Sequence, residues 1–81
     1  MKVVLSESFE NSFEKLPPEI VKKFRKQLIF LLSNIRHPSL RAKKYGGEND
    51  LWQARVDDDF RFYFKIKKGS YIIMEITKHP K

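Results

Sequence analysis

Between residues 52 and 66 apolar and polar side chains alternate with a period of two. Trp52, Ala54, Val56, Phe60, Phe62, Phe64 and Ile66 take one phase, while Gln53, Arg55, Arg61, Tyr63 and Lys65 take the other. Successive side chains of a strand point to opposite faces, so this pattern predicts a sheet with an apolar back and a cationic, aromatic front. Its strands run from Leu51 to Val56 and from Phe60 to Ile66, with Asp57-Asp58-Asp59 as the turn. A third strand, Tyr71 to Thr77, follows the turn Lys67-Lys68-Gly69-Ser70. In that strand strict alternation puts Ile72, Met74 and Ile76 on one face and Tyr71, Ile73, Glu75 and Thr77 on the other.

Upstream the period changes. Lys2 to Leu5 reads as a short strand, and Ser6 can cap a helix that carries Phe9, Phe13 and Leu16 on one side. Leu16-Pro17-Pro18 ends it, because Pro17 disfavours a helical Leu16, while Pro18 suits the first turn of a second helix. That helix runs to about Asn34 with an apolar stripe of Ile20, Phe24, Leu28, Leu31 and Ile35, widened by Val21 and Leu32. Lys22, Lys23, Arg25 and Lys26 face outward, and His37-Pro38 stops the helix. Residues 36–50, with Pro38, Ser39, Gly46, Gly47 and Asn49, read as a surface connector pinned by Leu40. The order β-α-α-β-β-β makes an α+β fold, its two-helix hairpin packed on one face of a small, mostly antiparallel sheet.

With 81 residues the chain is a single domain, 1–81. At this size only about 60% of the unfolded surface is buried, so the apolar positions are nearly all committed to one core. There is no cysteine, which excludes a disulfide framework and a thiolate metal site. No signal peptide and no membrane-spanning run are evident, so a cytoplasmic protein without a membrane partner is expected. The net charge of +7 is uneven: residues 36–45 carry +4 and residues 60–81 carry +5, whereas residues 46–59 carry −4. This favours an anionic polymer, nucleic acid first, although solubility alone would also explain a surplus of lysine.

Candidate chemistry gathers on the front. Arg55 and Arg61 flank a tight hairpin and should lie opposite each other, two guanidiniums within reach of one phosphate. Either could instead pair with an aspartate of the turn or with Glu75. Glu75 could orient Arg61 or act as a base, and orientation suits it better because nearby cations would lower its pKa. Tyr63 is placed to stack on a base or relay a proton, and His79 is the natural proton-transfer residue at neutral pH. Trp52 has the core phase and reads as buried. His37 reads as a helix-end residue. The three aspartates form a solvated turn rather than a calcium loop, two histidines without cysteine make a poor metal site, and Gly46-Gly47 lacks a phosphate-loop signature. No metal and no cofactor is implied.

Several segments together resemble the RelE/ParE toxin superfamily of toxin–antitoxin systems. They are Leu16-Pro17-Pro18-Glu19-Ile20, His37 to Lys44, Leu51 to Val56, Phe60 to Phe64, and Ile72 to His79. Their order and spacing, across nearly the whole chain, carry the resemblance. It implies the toxin of a type II toxin–antitoxin system with a cognate antitoxin as partner. In the RelE branch such a toxin is a ribosome-dependent endoribonuclease that cuts mRNA in the A site. By resemblance Arg61 corresponds to the sheet arginine at the scissile phosphate, Arg55 to a basic position on the preceding strand, and His79 to a C-terminal arginine or histidine. Tyr63 or Glu75 would share the proton transfers, while Arg41, Lys43, Lys44, Lys65 and Lys78 would contact mRNA or ribosomal RNA. Gln53 stands where RelE has a basic residue. The sequence ends at Lys81 without RelE's C-terminal tyrosine, and Pro80 follows His79. The ParE branch keeps the scaffold and inhibits DNA gyrase; a scaffold that binds only its antitoxin is the other alternative.

Overall fold

The alternating segments become the middle of a five-stranded sheet in the computed structural model, which describes residues 1–45 and 50–78. Along the chain its elements are β1 (Lys2–Leu5), α1 (Glu7–Phe13), α2 (Pro18–Ser33), β2 (Lys43–Lys44), β3 (Leu51–Arg55), β4 (Phe60–Lys67) and β5 (Ser70–Lys78). The strand order is β1-β5-β4-β3-β2, with β1 parallel to β5 and every other pair antiparallel. The α+β class and the hairpin of helices are as expected. β2 is an addition: two residues of the connector pair with Gln53 and Trp52 and extend the sheet edge. The part of the connector holding Gly46, Gly47 and Asn49 lies outside the described residues.

Local chemistry sets the helix ends. The Ser6 Oγ accepts the Phe9 N–H at 3.2 Å, which caps α1, and Pro18 opens α2. α1 closes at Phe13, one turn before the expected end, so Leu16 packs from the inter-helix turn. Phe9, Phe24 and Leu31 meet Phe62, Phe64, Ile73 and Ile76 on one face of the sheet, all essentially buried. Phe24 meets the Phe62 ring edge-on at 5.2 Å and lies 5.2 Å from Phe9, a geometry that adds electrostatic attraction to the burial. Trp52 stacks on Phe64 at the core margin, half-buried, in the phase expected.

β5 departs from strict alternation. Tyr63 pairs with Glu75 but Phe64 pairs with Ile73, so Met74 is an extra residue in the ladder. This bulge flips the phase. Tyr71 and Ile73 are therefore buried along with Ile76, whereas Ile72 and Met74 are only partly buried. The expected grouping of Ile72 and Met74 with Ile76 is thus replaced by Tyr71, Ile73 and Ile76. The Met74 carbonyl, freed from regular pairing, accepts the hydroxyls of Ser6 (3.3 Å) and Ser8 (3.1 Å), which fastens α1 to β5.

Candidate functional site

Arg55 and Arg61 are direct cross-strand partners on the face away from the helices. With Arg41, Lys43 and Gln53 they line a cavity of about 240 Å³. Four cationic side chains surround one concavity, among the described residues without an acid lining it, and their summed potential favours an anion there. Lys43 reaches it because β2 pairs Lys43 with Gln53, in the front phase. Arg41 reaches it from a left-handed backbone (φ 46°), a conformation that costs a non-glycine residue about 1 kcal/mol or more.

The hairpin turn aims Arg61. The Asp57 Oδ1 accepts the N–H groups of Asp59 (2.9 Å) and Phe60 (2.8 Å), while its Oδ2 meets the Lys23 ammonium at 3.2 Å. With the turn so fixed, Arg61 Nη1 donates to the Asp57 carbonyl at 2.5 Å and the Phe60 carbonyl at 3.0 Å. Two backbone carbonyls thus anchor one amino group and leave the rest of the guanidinium fork for a ligand. Burial raises the Asp57 pKa, but the two backbone N–H groups and Lys23 outweigh it and hold the carboxyl below its ordinary value. Arg55 Nη2 pairs with Asp58, whose side chain is largely exposed. Such a pair exchanges readily for a stronger anion.

Gln27 also shapes the site, although it stands within an apolar helix stripe. Its amide is buried, and Nε2 donates to the carbonyls of Ser39 (3.0 Å) and Arg55 (2.7 Å). Its Oε1 accepts the Ser39 hydroxyl at 3.2 Å. The Arg55 N–H in turn donates to the Leu40 carbonyl at 2.7 Å. α2, the connector that carries Arg41, and the end of β3 are therefore tied together through one side chain. Polarity within an otherwise apolar stripe was its only sequence signal.

The other expected residues divide. Tyr63 lies beside the cationic cavity, and its hydroxyl accepts the Gln53 amide at 3.1 Å, so its own proton is free to be donated. Glu75 is the cross-strand partner of Tyr63 and lines a neighbouring cavity, whereas Arg61 is held by carbonyls instead of by Glu75. Lys65 continues the front face, half-buried beyond Tyr63. Lys44 falls in the opposite phase to Lys43 and pairs with Asp50 at 3.3 Å. Lys78 is opposite Phe60, in the core phase, at the exposed end of the sheet. Neither Lys44 nor Lys78 joins the cavity. His79 lies outside the described residues. His37 stacks on Phe30 at 3.9 Å, and its Nδ1 accepts the Ser39 N–H, which accounts for it structurally.

Among the described residues no cluster of metal-ligating side chains exists, and no helix is long and apolar enough to cross a membrane. No protein-family model and no curated protein sequence matches the chain. Solved structures do match along its length. The YoeB/ParE toxin from Agrobacterium tumefaciens gives a TM-score of 0.82 at 15% identity, over 99% of this chain and 100% of that one. A YoeB dimer from Staphylococcus aureus gives 0.80 at 14% identity, covering 99% and 98%. The archaeal RelE–RelB complex from Pyrococcus horikoshii gives 0.78 at 17% identity, covering 95% and 92%. Helical hairpin, parallel first strand and cationic sheet are thus laid on a shared frame: the chain has the fold of the RelE/ParE toxin superfamily.

Proposed function

We propose that this protein is the toxin of a toxin–antitoxin pair and cleaves mRNA in the ribosomal A site. The observation that carries the reading is the cavity where Arg61, anchored by two carbonyls, faces Arg55 with Arg41 and Lys43 beside them. An in-line attack by a ribose 2′-oxygen forms the O2′–P bond and breaks the P–O5′ bond, leaving a 2′,3′-cyclic phosphate and a 5′-hydroxyl. Negative charge grows on the non-bridging oxygens as the phosphorus becomes pentavalent, and preoriented guanidiniums stabilise that charge more than the ground state. Arg61 is the main stabiliser, and Arg55 joins it on leaving Asp58. The 2′-hydroxyl proton passes to His79, and the leaving O5′ receives one from Tyr63, whose hydroxyl already accepts from Gln53. Lys65, with Lys44 and Lys78 at the sheet margins, contacts ribosomal RNA. The RelE–RelB complex among the structural neighbours supports an antitoxin as the resting partner.

In vitro translation with purified protein tests this, by mapping mRNA ends on stalled ribosomes. Wild type should produce A-site cuts with cyclic phosphate ends. Arg61→Ala should reduce them at least 100-fold, the scale of losing one preorganised charge donor, and His79→Ala should remove the pH dependence near neutrality. Intact mRNA with continuing translation would refute the nuclease, and a gyrase supercoiling assay would then decide between gyrase inhibition and an antitoxin-binding scaffold.

A further inference from the structure

Next to the phosphate cavity lies a second concavity with a different character. It has a volume of about 360 Å³, within the range of small-ligand sites, and its walls include Ser8, Tyr45, Leu51, Tyr63, Glu75 and Thr77. The rings of Tyr45 and Tyr63 are 5.5 Å apart and inclined at 59°, so a flat ligand stacked on one meets the other along its edge. Tyr45 is half-exposed, and its backbone is fixed by its N–H donating to the Leu51 carbonyl at 2.7 Å.

Glu75 is unusual among the acids near the sheet. Asp57 has Lys23, Asp58 has Arg55, and Asp50 has Lys44. Among the described residues Glu75 has no such partner, although Arg61 and Lys65 share its face. Its two carboxylate oxygens offer acceptors only. A planar ligand with two adjacent donors on one edge satisfies both, and the Watson–Crick edge of guanine presents N1–H and N2–H in that arrangement. Adenine presents an acceptor at N1 and gains only one bond. Aromatic walls with a carboxylate could also take an arginine side chain. The surrounding Arg61, Arg55, Lys43 and Lys65 repel a cation, however, whereas a nucleotide brings a neutral base and an anionic phosphate. Tyr63 and Arg61 are two residues apart on one strand, about 7 Å, and the Gln53–Tyr63 hydrogen bond joins the two cavities.

We infer that this cavity is a guanine-selective base subsite, with Tyr45 and Tyr63 stacking the base and Glu75 reading its edge. The inference rests on the nuclease reading for the identity of the polymer. Its test does not need the ribosome. Amide shifts of isotope-labelled protein are followed while guanosine 5′-monophosphate or adenosine 5′-monophosphate is titrated in. The guanine nucleotide should bind about 10-fold more tightly, toward the lower end of what one bidentate base contact confers. Its largest shifts should fall at Tyr63, Glu75 and Thr77. In Glu75→Gln the side chain has one donor and one acceptor, which fit adenine at N6–H and N1 and guanine at N1–H and O6 equally, so the preference should vanish. Tyr45→Ala should weaken both nucleotides several-fold.

Equal binding of the two nucleotides, no binding of either, or an unchanged preference in Glu75→Gln would each overturn the subsite. So would tighter binding of N-acetylarginine amide at the same amides. None of these outcomes alters the A-site cleavage assay. Conversely, guanine preference without mRNA cleavage would remove the reaction and leave the subsite standing.

Discussion

Replacing Gln27 with leucine separates the energetic worth of one buried amide from that of the apolar stripe around it. Leucine keeps an apolar volume in α2 but removes three hydrogen bonds, to the carbonyls of Ser39 and Arg55 and from the Ser39 hydroxyl. Ser39 is exposed, so water recovers its hydroxyl and part of its carbonyl. The Arg55 carbonyl sits under α2 and recovers less. Each buried polar group left without a partner costs about 1–3 kcal/mol, so the two carbonyls together should cost about 2–4 kcal/mol. The added apolar burial of leucine returns under 1 kcal/mol of this. A domain of this length has about 4–12 kcal/mol of stability in total, so the loss is a large fraction of it. At about 4–8 °C per kcal/mol, the melting temperature should fall by roughly 10–20 °C. Urea melts followed by tryptophan fluorescence and far-ultraviolet dichroism measure the change directly. Gln27→Glu, which keeps the shape but cannot donate, should lose at least as much at pH 7. A loss below about 0.5 kcal/mol in both variants would refute the view that this amide holds connector, helix and strand together.

Asp57→Asn should flatten the acid limb of the stability profile. The folded carboxyl titrates below its unfolded value near 4, so its stabilisation is present above that value and lost as pH falls through the folded pKa; urea midpoints between pH 6 and 2 check this. Phe24→Ala removes the ring between α1 and β4 and should cost about 3–5 kcal/mol in the same melts. Arg41→Gly relieves the left-handed backbone and should raise stability by about 0.5–1 kcal/mol, while weakening phosphate binding measured by calorimetry with a short oligonucleotide.

The meander was readable from the sequence because alternation follows from strand sterics, and seven apolar residues in one phase leave little freedom of register. The pairing of Arg55 with Arg61 came with it, since a three-residue turn places the flanking positions opposite each other. Met74 was unreadable for the same reason: one extra residue inverts the phase, and nothing in Ile72-Ile73-Met74 distinguishes which apolar side chain is squeezed out. β2 was hidden because two lysines carry no strand signal of their own; the edge of β3 recruits them. Lys44 and Lys78 shared the basic character of Lys43, but charge does not report phase. Gln27 looked like an interruption of the helix stripe, and its partners are carbonyls, which every residue has.

The sheet places its last strand between its first and its fourth, so β5 pairs with both β1 and β4. Lys2 is partnered with Ser70, 68 positions later. A ribosome adds about 5–20 residues per second, so β1 of a nascent chain waits about 3–14 s for the strand beside it. Phe62 and Phe64, made only at the end of that interval, still lack Ile73 and Ile76 to close the core. The hairpin carrying Arg61 can form early, but the platform beneath it cannot. A sheet built this way closes at one late moment, once residues 70–78 have been made.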